Sequence, residues 1–169
     1  DHPVHAGVYE DRVFVATMGE RRIAVISEGQ VSTIELGVLG PSHFASAAGQ
    51  VFVPCTGGDV VACVDPETLT CTDRIGVGAE PHDIAVGPEC VYVGSRADGE
   101  VSVIDPDRGA RVGTIALPGA ARVQGVAIDA SHDQGYAVDQ AGSRVSRFTL
   151  GATGTVTDTT AVGANPYDL

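Results

Sequence analysis

The sequence contains no lysine and no tryptophan, and aromatic residues make up only 5% of it. All ten basic residues are arginines, set against 22 acidic residues, and the formal net charge is −12. Such a charge argues against nucleic acids and anionic membranes as partners. A lysine-free, acidic composition is typical of proteins from extreme halophiles. The alternative is an acidic protein from a GC-rich organism, in which codon bias replaces lysine by arginine.

Long apolar runs and local chemical motifs are also missing. No stretch approaches the roughly 18 apolar residues of a membrane helix, so no membrane insertion is expected. No P-loop, dinucleotide fingerprint or G-x-S-x-G motif occurs. The four cysteines include no C-x-x-C pair, which argues against a zinc ribbon or a redox motif.

Two of the cysteines have a spacing that suggests a hairpin. If Asp65 to Leu69 forms a five-residue turn, Val64 faces Thr70 and Cys63 faces Cys71 on the opposite strand. One interpretation is a cross-strand disulfide between Cys63 and Cys71, which would require an oxidising compartment. The alternative is that both are small buried apolar residues with free thiols.

What the sequence does contain is one pattern that recurs at intervals of 38, 40, 42 and 43 residues. The copies cover approximately residues 3–40, 41–80, 81–122 and 123–165, and a fifth copy starts at 166. Each copy opens at a proline or valine, continues with an apolar segment and a turn, and then reaches an apolar triplet such as Val51–Val53. An internal repeat of this length is typical of stacked supersecondary units.

Each repeat predicts four short strands separated by turns rich in Gly, Asp and Pro, and no segment has a helical period. The second strand is apolar on consecutive residues, so both of its faces should be covered, and Phe14, Phe52 and Tyr92 occupy its centre. The fourth strand is more polar and should lie at an exposed edge. This gradient favours an all-β propeller with about four four-stranded antiparallel blades, in one domain spanning 1–169.

The segments 81–86, 91–93 and 101–105 resemble the YVTN-type β-propeller repeat, found in surface-layer and other extracytoplasmic proteins of archaea and bacteria. The chain also resembles lactonase-like and nitrous-oxide-reductase-like propellers. This resemblance implies a location outside the cytoplasm or at the cell surface. Because propellers of this family usually have seven blades, it also implies that the chain is part of a longer ring. A closed four-bladed ring and two half-rings paired as an eight-bladed dimer are the alternatives.

In a propeller, the segments that enter the first strands should meet at the mouth of the central channel. Two residues after the start of each repeat, the sequence places His5, His43, Asp83, Gly125 and Asp168, and the adjacent candidates for ligand binding are His82, Arg122, Gln124 and Tyr167. Imidazole and carboxylate groups that converge can hold a divalent metal, so His5, His43 and Asp83 are the candidate metal ligands. His82 lies one residue out of register, and the alternation of side chains along a strand predicts that it points the other way.

Three functions remain open at this point. The first is a binding scaffold that holds a small molecule or a protein at the channel mouth or rim. The second is a lactonase-like hydrolase or a metal-dependent lyase with a His/Asp site. The third is an assembly module that pairs through exposed end blades. A purely structural role is the alternative for the mouth residues, because a histidine there can bond to the backbone of a neighbouring blade. The run Ser131–His132–Asp133 resembles a catalytic triad only in its letters, since these are ordinary turn residues.

Overall fold

The computed structural model describes residues 2–167, which form four antiparallel sheets of four strands each, ordered along the chain within every sheet. The first blade comprises β1 (His2–Tyr9), β2 (Arg12–Met18), β3 (Arg22–Ser27) and β4 (Gln30–Glu35). The second comprises β5 (Ala45–Ala47), β6 (Gln50–Cys55), β7 (Val60–Asp65) and β8 (Thr70–Gly76). The third comprises β9 (Pro81–Val86), β10 (Val91–Ser95), β11 (Glu100–Asp105) and β12 (Ala110–Ala116). The fourth comprises β13 (Val123–Asp129), β14 (Gln134–Asp139), β15 (Arg144–Thr149) and β16 (Val156–Ala161).

This arrangement confirms the predicted all-β, four-bladed architecture. The first strands of successive blades lie against one another, since β5 contacts β9 and β9 contacts β13. The only helical element among residues 2–167 is a 3₁₀ turn, Ala130–His132. Within the same range no helix has the length and the apolar character needed to cross a membrane.

Three apolar layers hold neighbouring blades together. Along β6, Val51 and Val53 pack against the first blade, whereas Phe52 points to the opposite side and packs against the third blade. Both faces of this strand are therefore covered, which explains why its apolar residues are consecutive. The predicted core positions Phe14, Phe52 and Tyr92 are confirmed, because all three side chains are buried.

The predicted pairing of Cys63 with Cys71 is wrong, because all four cysteines are free thiols in the structure. Asp65 faces Thr70, so the turn is one residue shorter than expected and Cys71 lies opposite Val64. The register between β7 and β8 then shifts between Cys63 and Val64, so that Cys63 lies opposite Asp73. Cys63 consequently faces the third blade, whereas Cys71 packs in the layer between the first two blades. The two thiols are on opposite faces of one sheet and cannot approach each other.

Candidate functional site

The entrances to the first three blades bring three histidine rings into a row. The ring centroids of His5 and His43 are 4.6 Å apart, and those of His43 and His82 are also 4.6 Å apart. Each ring comes from a different blade, so the repeat places equivalent segments side by side, as the propeller model requires. His43 and Asp83 also meet, with Nε2 and Oδ1 4.0 Å apart. We call His5, His43, His82, Asp83 and Gln124 the entry cluster.

The prediction that His82 points away from the other histidines is wrong, and a β-bulge is the reason. Across the β9–β10 pair, Pro81 faces Ser95 and Asp83 faces Gly94, which leaves His82 as an extra residue without a partner. A bulge interrupts the strict alternation of side chains and can re-aim one of them. His82 therefore turns towards His43 although it is one residue out of register.

Hydrogen bonds from the entry cluster run from the second blade to the third and from the third blade to the fourth. His43 Nδ1 donates to the carbonyl of His82 at 2.9 Å, and His82 Nδ1 donates to the carbonyl of Gln124 at 3.1 Å. Asp83 Oδ2 accepts from the backbone N–H of Val126 at 2.7 Å. These side chains thus satisfy backbone groups of the following blade. This is the structural role that the sequence also allowed for the mouth residues, as the alternative to ligand binding.

The predicted metal ligands do not assemble into a coordination site. Two of them, His43 and Asp83, bond to the next blade. Their Nε2 and Oδ1 atoms are 4.0 Å apart, against about 3.3 Å for two ligands bonded at about 2 Å to one tetrahedral ion. Between residues 2 and 167, no three His, Cys, Asp or Glu side chains form a group that could hold a metal ion. The geometry gives no support to a metal at His5, His43 and Asp83.

The entry cluster reaches the fourth blade at Gln124, which bonds to a residue of the third blade that the sequence did not reveal, Arg96. Arg96 Nε donates to Gln124 Oε1 at 3.0 Å, and the Gln124 side chain is only 2% exposed. Arg96 directly follows β10, where the equivalent positions of the second and fourth blades are Thr56 and Gln140. The backbone N–H of each of these three residues donates to the carbonyl of the residue that precedes the start of its repeat, which is a signal visible only after the repeats are aligned in space.

The remaining mouth candidates lie nearby. Arg122 immediately precedes β13, and its backbone N–H donates to Asp139 Oδ1 at 3.0 Å while its side chain is exposed. Tyr167 is exposed and near enough to Arg96 to influence its charge. Gly125 contributes no side chain, and Asp168 lies outside the described residues.

Burial controls the ionisation of this region. Burial lowers the pKa of His82 to about 4, and the positive charge of Arg96 and the neighbouring His43 act in the same direction. Burial also lowers the pKa of Arg96, and the charge of Arg122 adds to that effect. At neutral pH, His82 is therefore a neutral ring beside two cationic guanidinium groups.

The run Ser131–His132–Asp133 has no triad geometry. His132 Nδ1 contacts Asp129 Oδ2 at 2.6 Å and Ser131 Oγ at 3.0 Å, so both partners share one ring nitrogen. A proton relay needs them on opposite nitrogens. Asp129 caps the 3₁₀ turn instead, and the group is exposed.

No protein-family model and no curated protein matches this sequence. Solved structures do match its fold. The hydrazine synthase of Kuenenia stuttgartiensis has a TM-score of 0.83 and 19% identity, and the match covers 95% of this chain and 49% of that one. A catalytically inactive virginiamycin B lyase from Staphylococcus aureus, solved with quinupristin, has a TM-score of 0.82 and 15% identity, over 98% and 58% of the two chains.

A structure described as a putative 6-phosphogluconolactonase from Bacteroides fragilis has a TM-score of 0.78 and 10% identity, with 96% of this chain and 57% of that chain covered. The chain thus spans about half the length of the structures it matches. At these identities the likeness shows the β-propeller fold, and it does not single out the YVTN-type repeat.

Proposed function

We propose that this chain is part of a rigid β-propeller scaffold that binds a polar ligand at the entry cluster. The observation that carries the proposal is the convergence of polar side chains from successive blades at one end of the first strands. Loops and strand ends presented by a rigid scaffold are where binding residues concentrate. The hydrogen bonds from blade to blade fix the positions of these side chains, so little conformational entropy would be lost on binding.

A titration followed by amide NMR tests this proposal with three probes: succinate as an anion, glucose as a neutral polyol and putrescine as a cation. We expect at least one probe to shift the amide signals of Asp83, Gln124 and their neighbours. In a Gln124→Met variant, which removes the polar amide at similar volume, these shifts should weaken. Shifts confined to the outer turns of the blades, or no shifts with any probe, would contradict the scaffold proposal.

The alternative of a lactonase-like hydrolase or metal-dependent lyase has only the likeness of fold behind it, and a fold hosts many unrelated functions. Metal analysis of native protein tests it. A stoichiometric metal that a His5→Ala/His43→Ala double variant loses would favour the enzyme.

The first blade favours assembly as a second function. Its open face carries Val13, Val15, Ala24 and Ile26, with Val13 opposite Ile26 and Val15 opposite Ala24. In the second blade the corresponding pairs are Val51 opposite Val64 and Val53 opposite Ala62, and these four are buried against the first blade. The open face of the first blade thus has the same residue types as a face that packs against another blade. Val8 and Val31, on this open face, are 72% and 68% exposed.

The occupant that fits this face is a further blade with an apolar face. In a solution of this chain alone, a second copy supplies the only such blade. Light scattering should therefore show a dimer or larger assembly, and a Val8→Asp/Val31→Asp variant should be monomeric. A monodisperse wild-type monomer would contradict this second proposal.

The resemblance to surface-layer propellers of the YVTN type further supports a location outside the cytoplasm or at the cell surface, which we include in the proposal. Fractionation of cells that produce the native protein tests it. Recovery in the cytoplasmic fraction alone would contradict it.

A further inference from the structure

The ten arginines divide sharply by their partners. Six form ion pairs with carboxylates: Arg12, Arg22, Arg108, Arg111, Arg144 and Arg147. Two others, Arg21 and Arg74, donate to backbone carbonyls. In the described part of the chain, Arg96 and Arg122 alone have neither kind of side-chain partner, although acidic residues outnumber arginines more than twofold. We call these two residues the arginine pair.

One member of the arginine pair, Arg96, holds a buried amide that has an unused donor. Gln124 Oε1 accepts from Arg96 Nε at 3.0 Å, which fixes the orientation of the amide and makes Nε2 its donor end. Gln124 is 2% exposed, and its Nε2 has no hydrogen-bond partner among residues 2–167. A buried donor without a partner is destabilising, so it points to a group that this site is built to receive.

The charges around the Gln124 Nε2 donor favour a negatively charged ligand. Burial lowers the pKa of Arg96, and the positive charge of Arg122 lowers it further, whereas Tyr167 and Glu80 act in the opposite direction. The exposed guanidinium of Arg122 therefore repels the partly buried guanidinium of Arg96. An anion between them would relieve this repulsion and accept from the Gln124 amide.

We propose that Arg96, Arg122 and Gln124 form a binding site for an oxyanion, a carboxylate or phosphate group, at the interface of the third and fourth blades. The planar guanidinium matches two oxygens of such a group at once. The site deepens the proposed function, since it names the ligand class that the entry cluster would receive. The neutral His82 ring beside it adds no competing charge.

Calorimetric titration of the chain in low-chloride buffer tests the site, because chloride would screen or compete for the arginines. The probes are succinate, inorganic phosphate and the neutral analogue succinamide. We expect one or both anions to bind and succinamide not to bind. Succinate alone would identify a carboxylate ligand, and phosphate alone a phosphate ligand.

Two charge-matched variants locate the binding. Arg122→Gln should weaken anion binding about tenfold or more, as the loss of a charge-assisted hydrogen bond implies. This variant keeps the backbone bond to Asp139, and an unchanged thermal midpoint confirms that it folds. Arg108→Gln removes the same charge from the exposed turn between β11 and β12 and should leave the affinity unchanged. Arg96→Gln serves as a second variant within the pair.

The outcomes separate this inference from the scaffold proposal. Equal weakening by Arg122→Gln and Arg108→Gln would overturn the site, since only net charge would then matter. Glucose shifts at the entry cluster without any anion binding would overturn the anion site and leave the scaffold intact. The absence of binding by all probes in both experiments would overturn both.

Discussion

Acidification should destabilise the protein through His82, and its buried position fixes both the sign and the size of the effect. The pKa of this ring is about 4 in the folded protein, mainly because of burial, against 6.5 for the free side chain. Between these values the unfolded chain binds more protons than the folded protein, so stability falls as the pH falls. The contribution is complete above about pH 6.5 and lost below about pH 4. Because one pKa unit corresponds to about 1.4 kcal/mol, the loss amounts to roughly 3 kcal/mol.

Protonation at Nε2 explains this loss. Nδ1 already donates to the Gln124 carbonyl, so a second proton must enter at Nε2. The ring then becomes a cation beside His43 and the two guanidinium groups, in a position that is only 4% exposed. Its desolvation and the repulsion both oppose the charged form.

Urea unfolding at a series of pH values between about 4 and 8 measures the effect in the wild type and in His82→Gln. Groups distant from His82 contribute equally to both curves, so the difference between the curves reports His82 and its immediate surroundings. We expect the wild type to lose roughly 3 kcal/mol of stability relative to the variant as the pH falls from about 6.5 to about 4. His132→Gln, which removes an exposed imidazole, controls for histidine loss in general. Parallel curves for the wild type and His82→Gln would refute the argument.

Further predictions concern packing, thiols and salt. Phe52→Ala should lower the free energy of unfolding by about 3–5 kcal/mol, because the ring is buried between two blades; an unchanged thermal midpoint would contradict this. Gly135→Ala should cost about 1–3 kcal/mol, since a Cβ there would overlap the Phe148 ring, and calorimetry measures it. Cys63 should resist thiol reagents until the chain unfolds, because burial raises its pKa to about 12, and a Cys63–Cys71 disulfide found by mass spectrometry would refute the described register. If the surface is halophilic, unfolding midpoints should fall as salt is lowered; equal midpoints at low and molar salt would remove that interpretation.

The architecture could be predicted from the sequence because hydrophobic burial enforces it at every repeat. The apolar triplet must be covered on both faces, and only a blade between two neighbours does this for short antiparallel strands. Phe14, Phe52 and Tyr92 could therefore be assigned to the core with no structural information. This assignment to the core uses the repeat spacing, which recurs in four copies. It therefore remains correct when the alignment of one copy is wrong by one residue.

The candidate site depends on single-residue register, and there the sequence reasoning was wrong. A bulge at His82 reverses the predicted direction of its side chain, and a shorter turn before Thr70 moves Cys63 and Cys71 to opposite faces. Each irregularity shifts the pairing of two strands by one residue. The periodicity of the sequence cannot detect a shift this small. Arg96 escaped notice because its partner, Gln124, lies 28 residues away in the next blade.

The same contacts that hold the blades together also shape the proposed site. His82 in the third blade bonds to the backbone of Gln124 in the fourth, and Arg96 bonds to the side chain of that same residue. The distance between Arg96 and Arg122 is consequently set by the packing of these two blades. An oxyanion held by both arginines would bridge the interface and stabilise the folded chain by mass action. Ligand binding and the cohesion of neighbouring blades are therefore expected to be linked, so that a substitution that loosens this interface also weakens the anion site.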